Sequence, residues 1–189
     1  MGTETLSNPD STAFVPPSFW MRVAAFNLDV IILNVLSQLL GIVHLPMVWF
    51  GVMSLAYYTG FFCRNHGQTP GKQAAGVQVI RMDGSPIGYG HAFLRWMGYL
   101  PWITLLFMQT FTAILVCFVL ALMGFLIVFI DGRRRSLPDY IANTRVIQAQ
   151  AVAGMKRTII FVVGVGLPAL AFGALLMAFL IPLAQKAVR

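Results

Sequence analysis

The sequence predicts an all-α polytopic membrane protein, a bundle of about five transmembrane helices (four is the alternative) with a short β-hairpin at its cytoplasmic face. Three observations carry this prediction. Of 189 residues, 58% are hydrophobic and 10% are charged, where a soluble domain carries about 25% charged residues. The apolar residues gather into runs long enough to cross a bilayer, which takes about 20 residues per helix. The basic excess, a formal charge of +7, sits in short segments beside those runs. That placement orients a membrane protein and argues against a nucleic-acid-binding face.

The elements follow in chain order. Residues 1–18 hold Glu4, Asp10 and three prolines but no Lys or Arg. Without a basic n-region they read as a flexible tail rather than a signal peptide. A first span is expected over residues 20–41 and a second over 47–63, joined so tightly through 42–46 that they form a helical hairpin. A polar interval, 64–91, comes next. The apolar stretch 92–130, interrupted by Arg95, is roughly 60 Å long if helical, twice the thickness of a hydrocarbon core. It therefore turns back, with residues 109–112 the expected turn, Pro101 the expected kink, and its first half a candidate interfacial helix. A second polar interval, 131–157, precedes a final span over 158–183. The organisation is thus a tail (1–18), a membrane domain (19–150) and an additional C-terminal helix (151–189).

Loop charge sets the orientation. Arg64, Lys72 and Arg81 lie in the first interval, with Arg95 just after it. Arg133, Arg134, Arg135, Arg145, Lys156 and Arg157 lie in the second, and the turn between the first two spans has none. Both long intervals and the N-terminus are then cytoplasmic. Lys186 and Arg189, at the outer end of the last span, are a small violation. The triple Arg133–Arg134–Arg135 could bind anionic lipid or a partner, but reads first as an ordinary topology anchor.

Asp29 is the chemically demanding residue. An ionised carboxylate near the middle of a spanning helix costs roughly 2.5–3.5 kcal/mol on insertion scales, so it must be paired, protonated or lining water. One reading makes it a carboxylate that alternates between a proton and a cation. The other locks it to Arg22, seven residues away on the same helix face, or to Arg95. Asn27, Asn34 and Gln38 form a second stripe and are candidates for a polar path, although hydrogen bonds between helices suffice to explain them. Asp139 is either a gate carboxylate near the cytoplasmic face or a cap that ties the loop near Asn143 and Thr144.

The segment from Gly67 to Gln73, G-Q-T-P-G-K-Q, is not a phosphate loop: three residues rather than four separate its glycines, and Gln73 stands where Ser or Thr is required. Thr69-Pro70 fits the start of a short helix. Val77 to Met82 alternates into Asp83-Gly84, a hairpin signal, with 85–89 the expected second strand. Cys63 and Cys117 read as buried thiols. His44, His66 and His91 lack metal-ligand spacing, so no metal and no cofactor is expected. No nucleophile, zinc motif or paired-carboxylate constellation points to an enzyme.

Three pieces stand in order: Arg22 and Asp29 in the first span, the Gly67–Lys72 motif, and Leu137-Pro138-Asp139-Tyr140-Ile141-Ala142-Asn143-Thr144-Arg145-Val146. Together they resemble the RDD family of bacterial and archaeal membrane proteins, named for one arginine and two aspartates. The resemblance covers residues 19–147 and places Arg22, Asp29 and Asp139 at the named positions. It also takes in Gly67, Thr69, Pro70, Gly71, Lys72, Asp83, Gly84, Arg95 and Thr144. Pro138 departs from the family pattern, which often has His before the Asp. The resemblance implies a cytoplasmic-membrane protein. Because some members look like monovalent-cation/proton antiporters, it also implies a small transporter working through Asp29, with a monovalent cation and a proton as cargo. Such a transporter would be a homo-oligomer, since one subunit has too few spans for an inverted-repeat carrier. The alternative is a scaffold or accessory subunit of a membrane complex, in which the Arg and Asp groups are structural and the cytoplasmic hairpin receives a partner. A water-accessible cavity reaching Asp29 would favour the first reading and a closed ion pair the second.

Overall fold

The computed structural model describes residues 15–42, 46, 48–101, 111–171, 173–174, 177 and 181. Helix α1 (Phe19–Ile42) is 24 residues long and organises everything else. Helix α2 (Val48–Arg64) returns beside it. The short α3 (Pro70–Ala74) leads into strand β1 (Val77–Arg81), and α4 (Tyr89–Met97) follows. Helix α5 (Phe111–Ile130) contains no charged residue. A five-residue α6 (Leu137–Ile141), strand β2 (Thr144–Gln148) and α7 (Gly154–Phe161) complete the order. The last helix continues through a π-helical turn, Val162–Gly166.

The architecture is mostly helical with one two-stranded sheet. Two described helical stretches, Phe19–Leu39 and Gly154–Ala171, are long and apolar enough to cross a bilayer. The expected spans at 20–41 and 47–63 coincide with α1 and α2 within a residue or two. The last helix begins at Gly154 rather than near 158. Of the turn expected at 109–112, residues 109 and 110 lie outside the described residues, while 111 and 112 are already in α5. Helix α4, at the start of the 92–130 stretch, buries Ala92 and Arg95 and exposes Phe93, Leu94 and Met97.

The sheet corrects the sequence reading. The Asp83-Gly84 turn forms: Gly84 takes φ +86°, and Asp83 accepts the Ser85 N–H at 2.9 Å. The chain then does not return as a strand. Ser85-Pro86-Ile87-Gly88 offers a proline without an N–H and a glycine without a side chain to pack, so it cannot propagate a ladder. The partner of β1 is β2, from the other polar interval, antiparallel with Val79 opposite Val146 and Arg81 opposite Thr144. The two intervals thus fold into one module against the first half of α1.

Small residues bring the other elements onto α1. Ala24 and Ala25 are buried on adjacent faces. A Cβ on Gly71 would lie 2.3 Å from the Ala25 carbonyl oxygen, and one on Gly164 would lie 2.8 Å from Ala24 Cα. Glycine is required at both places for close backbone approach. The last helix therefore packs on α1, and Asn27 Nδ2 donates to the Gly164 carbonyl at 2.7 Å inside the π turn, where the i→i−4 ladder is interrupted. Among the described residues, Gly166 and Gly173 have no such close neighbour.

Candidate functional site

Two buried carboxylates define the site, and each is surrounded by donors. The first is Asp29, which is completely buried. Thr69 begins α3 with the extended backbone of a cap, but its hydroxyl does not cap its own helix. It donates instead to Asp29 Oδ2 at 2.5 Å. The Gly71 N–H, one of the donors a helix start leaves unpaired, donates to Asp29 Oδ1 at 2.8 Å. Asp29 thus caps α3 from another helix. Tyr57 Oη donates to Oδ1 at 2.8 Å, and the Lys72 ammonium donates to Oδ2 at 3.1 Å.

This corrects the pairing expected from sequence, because Asp29 is held by Lys72 and neither Arg22 nor Arg95 reaches it among the described contacts. The motif from Gly67 to Lys72 is a clamp for that carboxylate. Gly67, at φ +77°, lets the chain turn where a Cβ would strike the Val79 carbonyl. Pro70 fixes the first turn of α3, and Gly71 lets α3 touch α1. Lys72 supplies the counter-charge. Its Nζ lies 5.1 Å from the Phe62 ring centroid, 5.7 Å from Tyr58 and 5.9 Å from Tyr99, so aromatic faces enclose the ammonium.

The second carboxylate, Asp139, is also completely buried. Arg95 Nη1 donates to Oδ1, and Arg22 Nη1 lies 3.5 Å from Oδ2. Asp139 is the third residue of α6 and accepts the Ser136 N–H at 2.8 Å and the Ser136 hydroxyl at 2.7 Å, both on Oδ2. That is the reciprocal end of a capping box. Burial alone would raise its pKa, but the Arg95 and Arg22 guanidiniums, with the Ser136 N–H, hold the carboxyl below the usual carboxylate range. The same arginines reach the sheet: Arg95 Nη1 donates to Thr144 Oγ1 at 2.7 Å, and Arg22 Nη2 donates to the Val146 carbonyl at 3.3 Å. Asp139 is thus linked to Thr144 and Val146 through the two arginines.

Phe62 and Tyr99 join the clusters, since the Arg95 guanidinium lies 5.6 Å and 5.9 Å from their ring centroids. Arg22, Lys72 and Arg95 line a cavity of about 40 Å³ between α1, α4, α5 and α6. No carboxylate is among its described lining residues.

The polar-path candidates have different surroundings. Asn27 donates to the last helix, and Asn34 and Gln38 are exposed on the C-terminal half of α1. Tyr57 and Ser136 went unrecognised in the sequence, where nothing separates a tyrosine in an apolar helix from an ordinary packing residue. Among the described residues no cluster of His, Cys, Asp and Glu can hold a metal. Cys63 is a free, half-buried thiol; the Cys117 side chain and His44 lie outside the described residues.

Fold and site together define a helical membrane protein whose polar intervals are latched to its first helix by buried ion pairs. The RDD family pattern matches residues 16–143, and the chain belongs to the RDD family. No curated protein and no solved structure matches it.

Proposed function

We propose that this chain is a multi-pass membrane scaffold or accessory subunit whose Arg and Asp groups are structural, and that it does not exchange cations for protons. The observation that carries this reading is the saturation of both carboxylates. Asp29 accepts four donors, one of them an ammonium, and Asp139 accepts from two guanidiniums and from Ser136 twice. A coupling carboxylate has to release its partners to take up an ion. Releasing Asp29 would strand Lys72 in an aromatic box, at the cost of an uncompensated buried charge.

The cavity beside the clusters supports the same reading. At about 40 Å³ it is far below the several hundred Å³ of an ordinary ligand site, and the charged groups that line it are cationic and repel a cation. In this reading α1, α2, α5 and the last helix cross the cytoplasmic membrane. Residues 92–110 supply a fifth crossing or an interfacial segment, and the N-terminus and both polar intervals face the cytoplasm. The β1–β2 module then presents a surface to a protein partner or to a second copy. No enzymatic step is assigned.

Reconstitution tests this proposal. Proteoliposomes carrying folded protein are expected to show no proton movement driven by Na⁺, Li⁺ or K⁺. Exchange present in the wild type and lost in Asp29→Asn would overturn it.

A further inference from the structure

We infer a binding site for one anionic glycerophospholipid where α1 begins and α5 ends. Two adjoining clefts share Gly132 and Arg134. One, of about 380 Å³, is lined by Phe19, Val128 and Phe129 together with Pro17 and Asp131. The other, of about 520 Å³, is lined by Arg133, Arg134 and Arg145 beside Val146 and Ile147. A cleft with an aromatic and aliphatic wall, adjoining one lined by three arginines, suits a molecule with an acyl chain at one end and a phosphate at the other.

The charges are arranged for this. Asp131 is the one carboxylate among the described lining residues of either cleft, and it is already engaged. It accepts from Arg135 Nε at 3.1 Å, from the Arg135 N–H at 2.8 Å and from Tyr140 Oη at 2.7 Å, and the Arg135 bond holds its pKa well below the usual range. Arg133 and Arg134 are exposed and form no ion pair among the described residues. Arg134 takes φ +54°, in a turn closed by its N–H on the Asp131 carbonyl at 2.8 Å. A topology anchor needs only charge near the membrane; here the turn that ties down Arg135 sets Arg134 at the junction of the two clefts.

In the membrane reading this end of α1 lies at the cytoplasmic headgroup level. Trp20, 54% exposed, sits one residue from Phe19 and meets Phe161 edge-on, an aromatic pair of the kind that marks the headgroup level. Phe129 stands against Phe19 with ring centroids 4.5 Å apart and is 64% exposed. Basic pockets at that level on the cytoplasmic side suit acidic headgroups. The inference rests on the membrane reading but not on the absence of transport.

The test uses full-length protein in detergent, with native mass spectrometry counting bound lipid and thermal melting reading its effect. Phosphatidylglycerol is expected to add one lipid saturably and raise the melting temperature. Phosphatidylethanolamine and free glycerol phosphate at equal concentration should do neither. In the double variant Arg133→Gln/Arg134→Gln, whose changes are both exposed, phosphatidylglycerol should bind about 30-fold more weakly, two contacts of ~1 kcal/mol each. Equal binding by the double variant, or equal binding of phosphatidylethanolamine, overturns the site. Glycerol phosphate binding as tightly as the lipid overturns the lipid assignment.

Discussion

Lys72→Met is the most informative single change. It leaves Asp29 with no exposed surface and without the cation at 3.1 Å. Breaking a buried pair from one side typically costs about 3–5 kcal/mol. The Tyr57, Thr69 and Gly71 donors remain, so the lower end, about 3 kcal/mol, is expected. Asp29→Asn strands the ammonium instead. The three aromatic faces within 5.9 Å offset part of that, by ~0.5–2 kcal/mol for cation–π contact, and about 2 kcal/mol is expected. The double variant Asp29→Asn/Lys72→Met strands neither charge, while the new amide oxygen can still accept from Gly71 and Tyr57. Its cost should fall short of the summed single costs by roughly 2–3 kcal/mol, the upper range for residues in direct contact. Equilibrium unfolding in mixed micelles, followed by tryptophan fluorescence, reads all three variants against the wild type. Additive single costs, or a Lys72→Met variant within about 0.5 kcal/mol of wild type, would refute the claim that this pair holds α3 on α1.

Two further predictions follow from the same geometry. Gly71→Ala should cost at least ~1–3 kcal/mol, as overpacking does, because its Cβ would meet the Ala25 carbonyl at 2.3 Å and Asp29 Oδ1 at 2.7 Å. Gly60→Ala, where nothing among the described residues lies within 4 Å, should instead stabilise α2 by roughly 0.5–1 kcal/mol, and the pair of melting curves decides. The second concerns acid. Asp139 has a lower pKa folded than unfolded, so its stabilisation is fully present above the unfolded value of about 3.9 and is lost as pH falls through the lower folded value. Acid unfolding should therefore steepen only below pH ~4. The Asp139→Asn variant, less stable at neutral pH, should lack that added slope; an identical slope would count against the Arg22–Asp139–Arg95 pairing.

Much of this protein is written in local order. The runs that become α1 and α2 are fixed within a residue or two by apolar length, and the Thr69-Pro70 helix start and the Asp83-Gly84 turn are readable from backbone preference alone. The cost of a carboxylate in an apolar helix also sufficed to say that Asp29 must have a partner. Which partner it has was decided only in three dimensions. Lys72 is 43 positions away from Asp29, and no periodicity links the two. Arg22, on the same helix face, is drawn instead to Asp139, 117 positions away, because the second polar interval folds over the start of α1. The sheet has the same origin. Strand β1 announces an edge in need of a mate, but Ser85-Pro86 cannot supply it, and β2 arrives from the far side of α5. The partner of Asn27 was likewise decided by packing, since it meets a carbonyl offered by the π turn of the last helix. Local preference and desolvation cost act along the chain and can be read from it. Pairing depends on which donors the folded backbone brings within about 3 Å, and that is a property of the tertiary structure alone.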